Sequence, residues 1–167
     1  VAYGALPTDG VSSGLYTIDL TSGAATLVGT IGGGSVVRGI AAVPVLQSPN
    51  AFGVSATNNL VRFNTATPGT IVSSVPITGM QGGENVLGID FRPANGQLYA
   101  LGSTGRLYTI NTANTVATLV AVLTADPTDA TNPFTVLNGT SFGVDFNPMV
   151  DRLRVVAAAE RRIDQRL

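Results

Sequence analysis

A four-segment unit recurs along this chain and limits its folding more than any other feature. Gly39-Ile40-Ala41-Ala42-Val43-Pro44, Gly88-Ile89-Asp90-Phe91-Arg92-Pro93 and Gly143-Val144-Asp145-Phe146-Asn147-Pro148 are copies of its first segment. Ala2-Tyr3-Gly4-Ala5, Ala51-Phe52-Gly53-Val54, Leu98-Tyr99-Ala100-Leu101 and Leu153-Arg154-Val155-Val156 are copies of the second. Leu15-Tyr16-Thr17-Ile18-Asp19, Leu60-Val61-Arg62-Phe63-Asn64 and Leu107-Tyr108-Thr109-Ile110-Asn111 repeat the third. Ala25-Thr26-Leu27-Val28, Thr70-Ile71-Val72-Ser73 and Ala117-Thr118-Leu119-Val120 repeat the fourth. The first segment returns after 49 residues (Gly39 to Gly88) and again after 55 (Gly88 to Gly143).

Each segment is rich in β-branched and aromatic residues and bounded by Gly, Asn or Pro, the pattern of strands joined by tight turns. A four-stranded unit of this length matches the repeat of β-propeller blades. The expected fold is all-β and β-propeller-like, with four-stranded antiparallel blades of about 50 residues. One chain carries three to three and a half of them. The blade parts fall at 1–36, 37–84, 86–123 and 140–156, inside a single repeat domain spanning 1–156. In strand positions they read 2-3-4, then 1-2-3-4 twice, then 1-2.

Turns are expected at Thr8-Asp9-Gly10 with Ser12-Ser13-Gly14, Gln47-Ser48-Pro49-Asn50, Pro68-Gly69, Asn95-Gly96 and Gly102-Ser103-Thr104-Gly105. Gly32-Gly33-Gly34 reads as an inter-blade loop, because no Gly-Lys-Ser/Thr follows to make a phosphate cradle. Gly82-Gly83-Glu84-Asn85 makes the next crossing, and 124–138 is a long polar loop. Residues 157–167, AAAERRIDQRL, form an atypical C-terminal tail that reads as helical or unstructured.

Composition narrows the chemistry. His and Cys are both absent, which removes imidazole bases, thiolate nucleophiles, disulfides and Cys/His metal sites. All nine cations are Arg, and the formal net charge is −1, so there is no basic field for nucleic acid. No apolar run is long enough for membrane insertion by a helix. A cysteine-free chain rich in Gly, Ser, Thr and Asn is compatible with a secreted, extracellular or periplasmic location.

Asp90 and Asp145 occupy one repeat position and are the candidate metal ligands, as carboxylates at one level of a propeller channel. The competing reading has each Asp bonding backbone amides or a neighbouring Arg, and repetition favours this second reading because structural roles repeat. Arg92 and Arg152 are placed to pair with Asp90, Asp145 or Asp151. Tyr3, Tyr16, Tyr99 and Tyr108 hold matched strand positions that suit blade packing more than sugar stacking. Asp19, Asn64 and Asn111 end the third segment and suit Asx turns. Asp126 and Asp129 in the long loop are a sparse calcium set, and Ser141 has no His to activate it.

The segments NNLVRFNTATPGTIVSSVPITG, LGIDFRPANGQLYALGSTGRLYTIN and GTSFGVDFNPMVDRLRVV resemble the DUF4394 family, closely over 51–156. The resemblance implies a bacterial, typically exported domain with propeller-like repeats. It supplies no catalytic residues to carry over. In the family the segment after the RLRVV-like strand runs through Gly/Asn into another strand, and AAAERRIDQRL departs from that.

These features point to a non-enzymatic secreted scaffold or binding protein with no catalytic residues and no cofactor beyond possible Ca²⁺. The alternative is a metal-assisted hydrolase or lyase using Asp90 and Asp145. An arc of three and a half blades leaves faces and edges to cover, so a homo-oligomer formed by blade or strand complementation is expected, the alternative being a piece of a longer propeller. One route to closure pairs 140–146 with the blade begun by 2–28.

Overall fold

Glycine, Asn and Asp at strand ends decide where this chain turns. The computed structural model describes residues 2–7, 12–32, 36–42, 50–131, 133–139, 141–157 and 162–165. These form fourteen strands in four antiparallel sheets, with no α-helix among the described residues. The chain divides into two compact units, 1–77 and 78–167.

In the first unit, β1 (Ala2–Pro7), β2 (Ser13–Ile18) and β3 (Ala25–Thr30) make a three-stranded sheet in that order. A four-stranded sheet follows, built from β4 (Val37–Ala42), β5 (Asn50–Ser55), β6 (Asn59–Asn64) and β7 (Thr67–Pro76). Its core gathers Leu15, Ile31, Val37, Ala51, Val61 and Phe63 from both sheets. Ser13, fully buried, ties the sheets together: its Oγ accepts from the Val37 amide at 3.0 Å.

In the second unit, β8 (Val86–Phe91), β9 (Leu98–Gly102), β10 (Arg106–Ile110) and β11 (Ala117–Val122) form a sequential four-stranded sheet. A three-stranded sheet of β12 (Phe142–Asn147), β13 (Arg152–Ala157) and β14 (Arg162–Gln165) completes the unit. Tyr99, Leu101 and Leu107 pack here with Phe142, Phe146, Leu153 and Val155. Burying one such Leu contributes about 1.5–3 kcal/mol.

Repetition extends to irregularities. The pairing of third with fourth strand shifts register between Leu15 and Tyr16, and again between Leu107 and Tyr108. The Asx turns are present in all three copies. The Asp19 Oδ1 accepts from the amides of Thr21 (2.7 Å) and Ser22 (3.1 Å). The Asn64 Oδ1 accepts from Ala66, and the Asn111 Oδ1 from Ala113.

Three local expectations are corrected. Ser13 and Gly14 belong to β2, where Ser13 is fully buried between strands, so they do not turn the chain. Pro68 and Gly69 lie inside β7, because register shifts around Phe63 absorb the proline on an edge strand. Within the tail, Arg162–Gln165 is a strand, not a helical or unstructured piece: β14 pairs antiparallel with β13 and gives that sheet a third strand. The Thr8–Gly10 turn, Gly33 and Gly34, and most of the 47–50 turn lie outside the described residues.

Candidate functional site

The junction between β8 and β12 carries the densest chemistry of the second unit. Gly88 on β8 has no room for a side chain, since a Cβ would stand 2.6 Å from the Val144 Cγ2 on β12. Two residues on, the half-buried Asp90 meets the same strand. Its Oδ2 accepts from the Phe146 amide at 2.7 Å and its Oδ1 from the Phe91 amide at 2.9 Å. Burial pushes the Asp90 carboxyl up to about 6, and nearby Asp145 adds to the rise against the lowering effect of the amides. Asp145 itself is exposed and faces Arg154 across the β12–β13 register. The amide-bonding reading of Asp90 is therefore the one its contacts match.

Beside it, Arg92 reaches the β12–β13 turn. Its Nε and Nη2 donate to the Asp151 Oδ1 (2.9 Å) and Oδ2 (2.6 Å), a bidentate fork. These bonds hold the Asp151 carboxyl below its usual range and raise the Arg92 guanidinium further, Tyr99 contributing to the latter. Asp151 occupies the left-handed region at φ 50°, which places its carboxylate over the turn. The Arg92 guanidinium stands 6.0 Å from the ring centres of both Tyr99 and Phe146. Those two rings meet edge to face at 5.1 Å. Tyr99 and Tyr108 are buried packing residues, as their matched positions imply, whereas Tyr3 is exposed.

A second constellation was not visible in the sequence. Glu84, in the loop before β8, is 5% exposed. Its Oε1 accepts from the Thr104 amide (3.1 Å) and hydroxyl (2.5 Å), and its Oε2 from the Tyr108 hydroxyl (2.5 Å). Burial, then this carboxylate, raises the Tyr108 phenol above its ordinary value. The only hint was an acidic residue beside two glycines. Gly102 leaves room for this carboxylate, because a Cβ there would displace the Glu84 side chain from its hydrogen bonds.

Other candidates have local duties. The Asp126 Oδ1 accepts from the Thr128 amide and hydroxyl, and the Asp129 Oδ1 from the Thr131 amide. Ser141 is exposed. Among the described residues, no three His, Cys, Asp or Glu side chains cluster as a metal site would require. No helix among them is long and apolar enough to cross a membrane. One groove of about 400 Å³ opens at the end of the β8–β11 sheet, bounded by the β8–β9 and β10–β11 turns.

The family model of a domain of unknown function, DUF4394, matches residues 59–165, more than half of the chain. The chain belongs to the DUF4394 family. This DUF4394 chain is also similar in structure to PorZ, a bacterial surface component of the type-IX secretion system of Porphyromonas gingivalis. Their identity is 12% and the TM-score 0.46, over 98% of this chain and 20% of that one. The chain thus spans about a fifth of that protein's length. No curated protein matches the DUF4394 sequence.

Proposed function

We propose that this DUF4394 domain is a non-enzymatic, exported binding and scaffold module built of propeller-like blades. The observation that carries this reading is the commitment of Asp90. This half-buried carboxylate, whose acidity burial weakens, spends both oxygens on main-chain amides, one of them on a neighbouring sheet. Such a group holds sheets together. A metal-assisted mechanism would instead need Asp90 and Asp145 turned on a shared cation. The rise that nearby Asp145 adds to the Asp90 carboxyl is the single observation favouring that second reading.

Calorimetric titration with Ca²⁺, Mn²⁺ and Zn²⁺ separates the two. The scaffold reading expects no saturable heat, and the effect of Asp90→Asn to appear in thermal unfolding. Saturable metal binding that Asp90→Asn abolishes would sink it.

Self-association belongs to the same proposal. Among the described residues all four sheets are open and end in edge strands, which favours pairing with a second copy. Light scattering should then return twice the 17.0 kDa chain mass. A monomer across the working concentration range would reject it.

A further inference from the structure

The groove at the end of the β8–β11 sheet has its own chemistry, distinct from the Asp90 and Glu84 clusters. Its volume of about 400 Å³ lies within the range of small-molecule sites. The polar lining comes from Gln97, Thr109, Asn111, Thr112 and Thr118, with Phe91 supplying an apolar side. Every side chain that lines it is uncharged. No counter-charge is present for a phosphate, a carboxylate or an ammonium group.

Hydrogen-bond accounting defines what the groove offers. The Gln97 Oε1 already accepts from the Asn95 Nδ2 at 3.0 Å, so its Nε2 is the group left to donate. The Asn111 Oδ1 accepts from the Ala113 amide at 2.9 Å, so its Nδ2 is likewise the remaining donor. Thr109 and Thr118 are direct cross-strand partners and both line the groove, which brings two hydroxyl-bearing side chains to one face of the sheet. Each hydroxyl both donates and accepts. Amide donors beside paired hydroxyls, over one half-buried aromatic ring, complement a ring of vicinal hydroxyls with a C–H face.

The repeat sharpens the comparison. The Thr109–Thr118 pair recurs as Thr17–Thr26 and Asn111 recurs as Asn64, so these positions also serve the fold. At Thr17 the hydroxyl donates to the Thr26 carbonyl. The complete uncharged set stands in one copy: Arg62 replaces Thr109 in the preceding unit, Asp19 replaces Asn111 in the first, and Arg152 replaces Gln97 in the last.

We infer that this groove binds a neutral saccharide. The inference rests on the binding-module reading and names its ligand class. The test is calorimetry on the full chain with cellotriose, maltotriose and chitotriose, with NMR of the sugar reducing ends in the same samples. At least one trisaccharide should bind. Thr109→Val and Thr118→Val, which keep a β-branched side chain, should each weaken it about tenfold, the loss of one or two neutral hydrogen bonds. Circular dichroism confirms that both variants keep the fold. No binding by any of the three, or binding that neither variant weakens, overturns the saccharide assignment and leaves the module reading standing. Binding accompanied by new reducing ends supports the groove but overturns the non-enzymatic reading.

Discussion

The Phe146 amide donates to the Asp90 Oδ2 at 2.7 Å, and through this bond β12 is fastened to β8. Asp90→Ala leaves the Phe146 and Phe91 amides without this acceptor. An unmade buried bond costs about 1–3 kcal/mol. Chemical denaturation should show a loss in that range, and an unchanged midpoint would refute the stapling role.

The same carboxylate makes stability depend on pH. Burial, the largest cause, raises Asp90 from 3.8 to about 6, so the folded chain holds this proton more tightly than the unfolded one. Its contribution is fully present below the unfolded value and is lost as pH rises through about 6. Asp151 has the opposite sign: held below 3.8 by Arg92, it stabilises above that value and fades in stronger acid. Unfolding midpoints should therefore rise as pH falls from 7 to about 5. Asp90→Asn should flatten that slope; an equal slope in the variant would assign it to another group.

Phe91 and Phe146 share a repeat position but not an environment. Phe146 is 2% exposed against Tyr99, whereas Phe91 is only half-buried at the groove. Phe146→Ala is expected to cost about 3–5 kcal/mol, the range for a large core deletion. Phe91→Ala should cost clearly less. Equal losses in urea titrations would contradict the different packing.

Gly102 faces the buried Glu84 with no space for a Cβ, while a Cβ at Gly82 would meet nothing within 4 Å. Gly102→Ala should destabilise by about 1–3 kcal/mol through overpacking. Gly82→Ala should stay within about 0.5 kcal/mol, as surface changes do. Similar thermal shifts for the two would show that the Glu84 loop relaxes freely.

The Arg92 fork differs from a point charge. Arg92→Lys keeps the cation but loses the paired geometry on Asp151 and the plane over two rings. Melting temperatures should order as wild type, then Arg92→Lys, then Arg92→Ala. A lysine variant equal to wild type would mean that charge alone suffices.

Much of this architecture was legible along the chain. The hairpins at Asn95-Gly96 and at Gly102–Gly105 sit where turn chemistry places them, with Gly96 and Gly105 at positive φ. The Asx turns after Asp19, Asn64 and Asn111 followed from one residue type at one repeat position. These turns depend on neighbours two to five residues away, so the sequence by itself determined them, whereas the spans of β2 and β7 were set by the strands they pair with. The strand at Arg162–Gln165 was missed because its partner β13, not its own composition, draws it into a sheet.

Tertiary structure decided what the side chains do. Asp90 and Phe146 are 56 residues apart, and Arg92 and Asp151 are 59 apart. Several carboxylates were equally eligible partners until β12 packed beside β8. The role of Glu84 was not legible beyond its place beside two glycines, because its burial arises only when its loop folds onto the β9–β10 turn, twenty residues away. Local patterns set which residues alternate along a strand, but only sheet packing sets which face meets which neighbour. That contact removes water from one carboxylate and leaves its repeat partner, Asp145, in solvent.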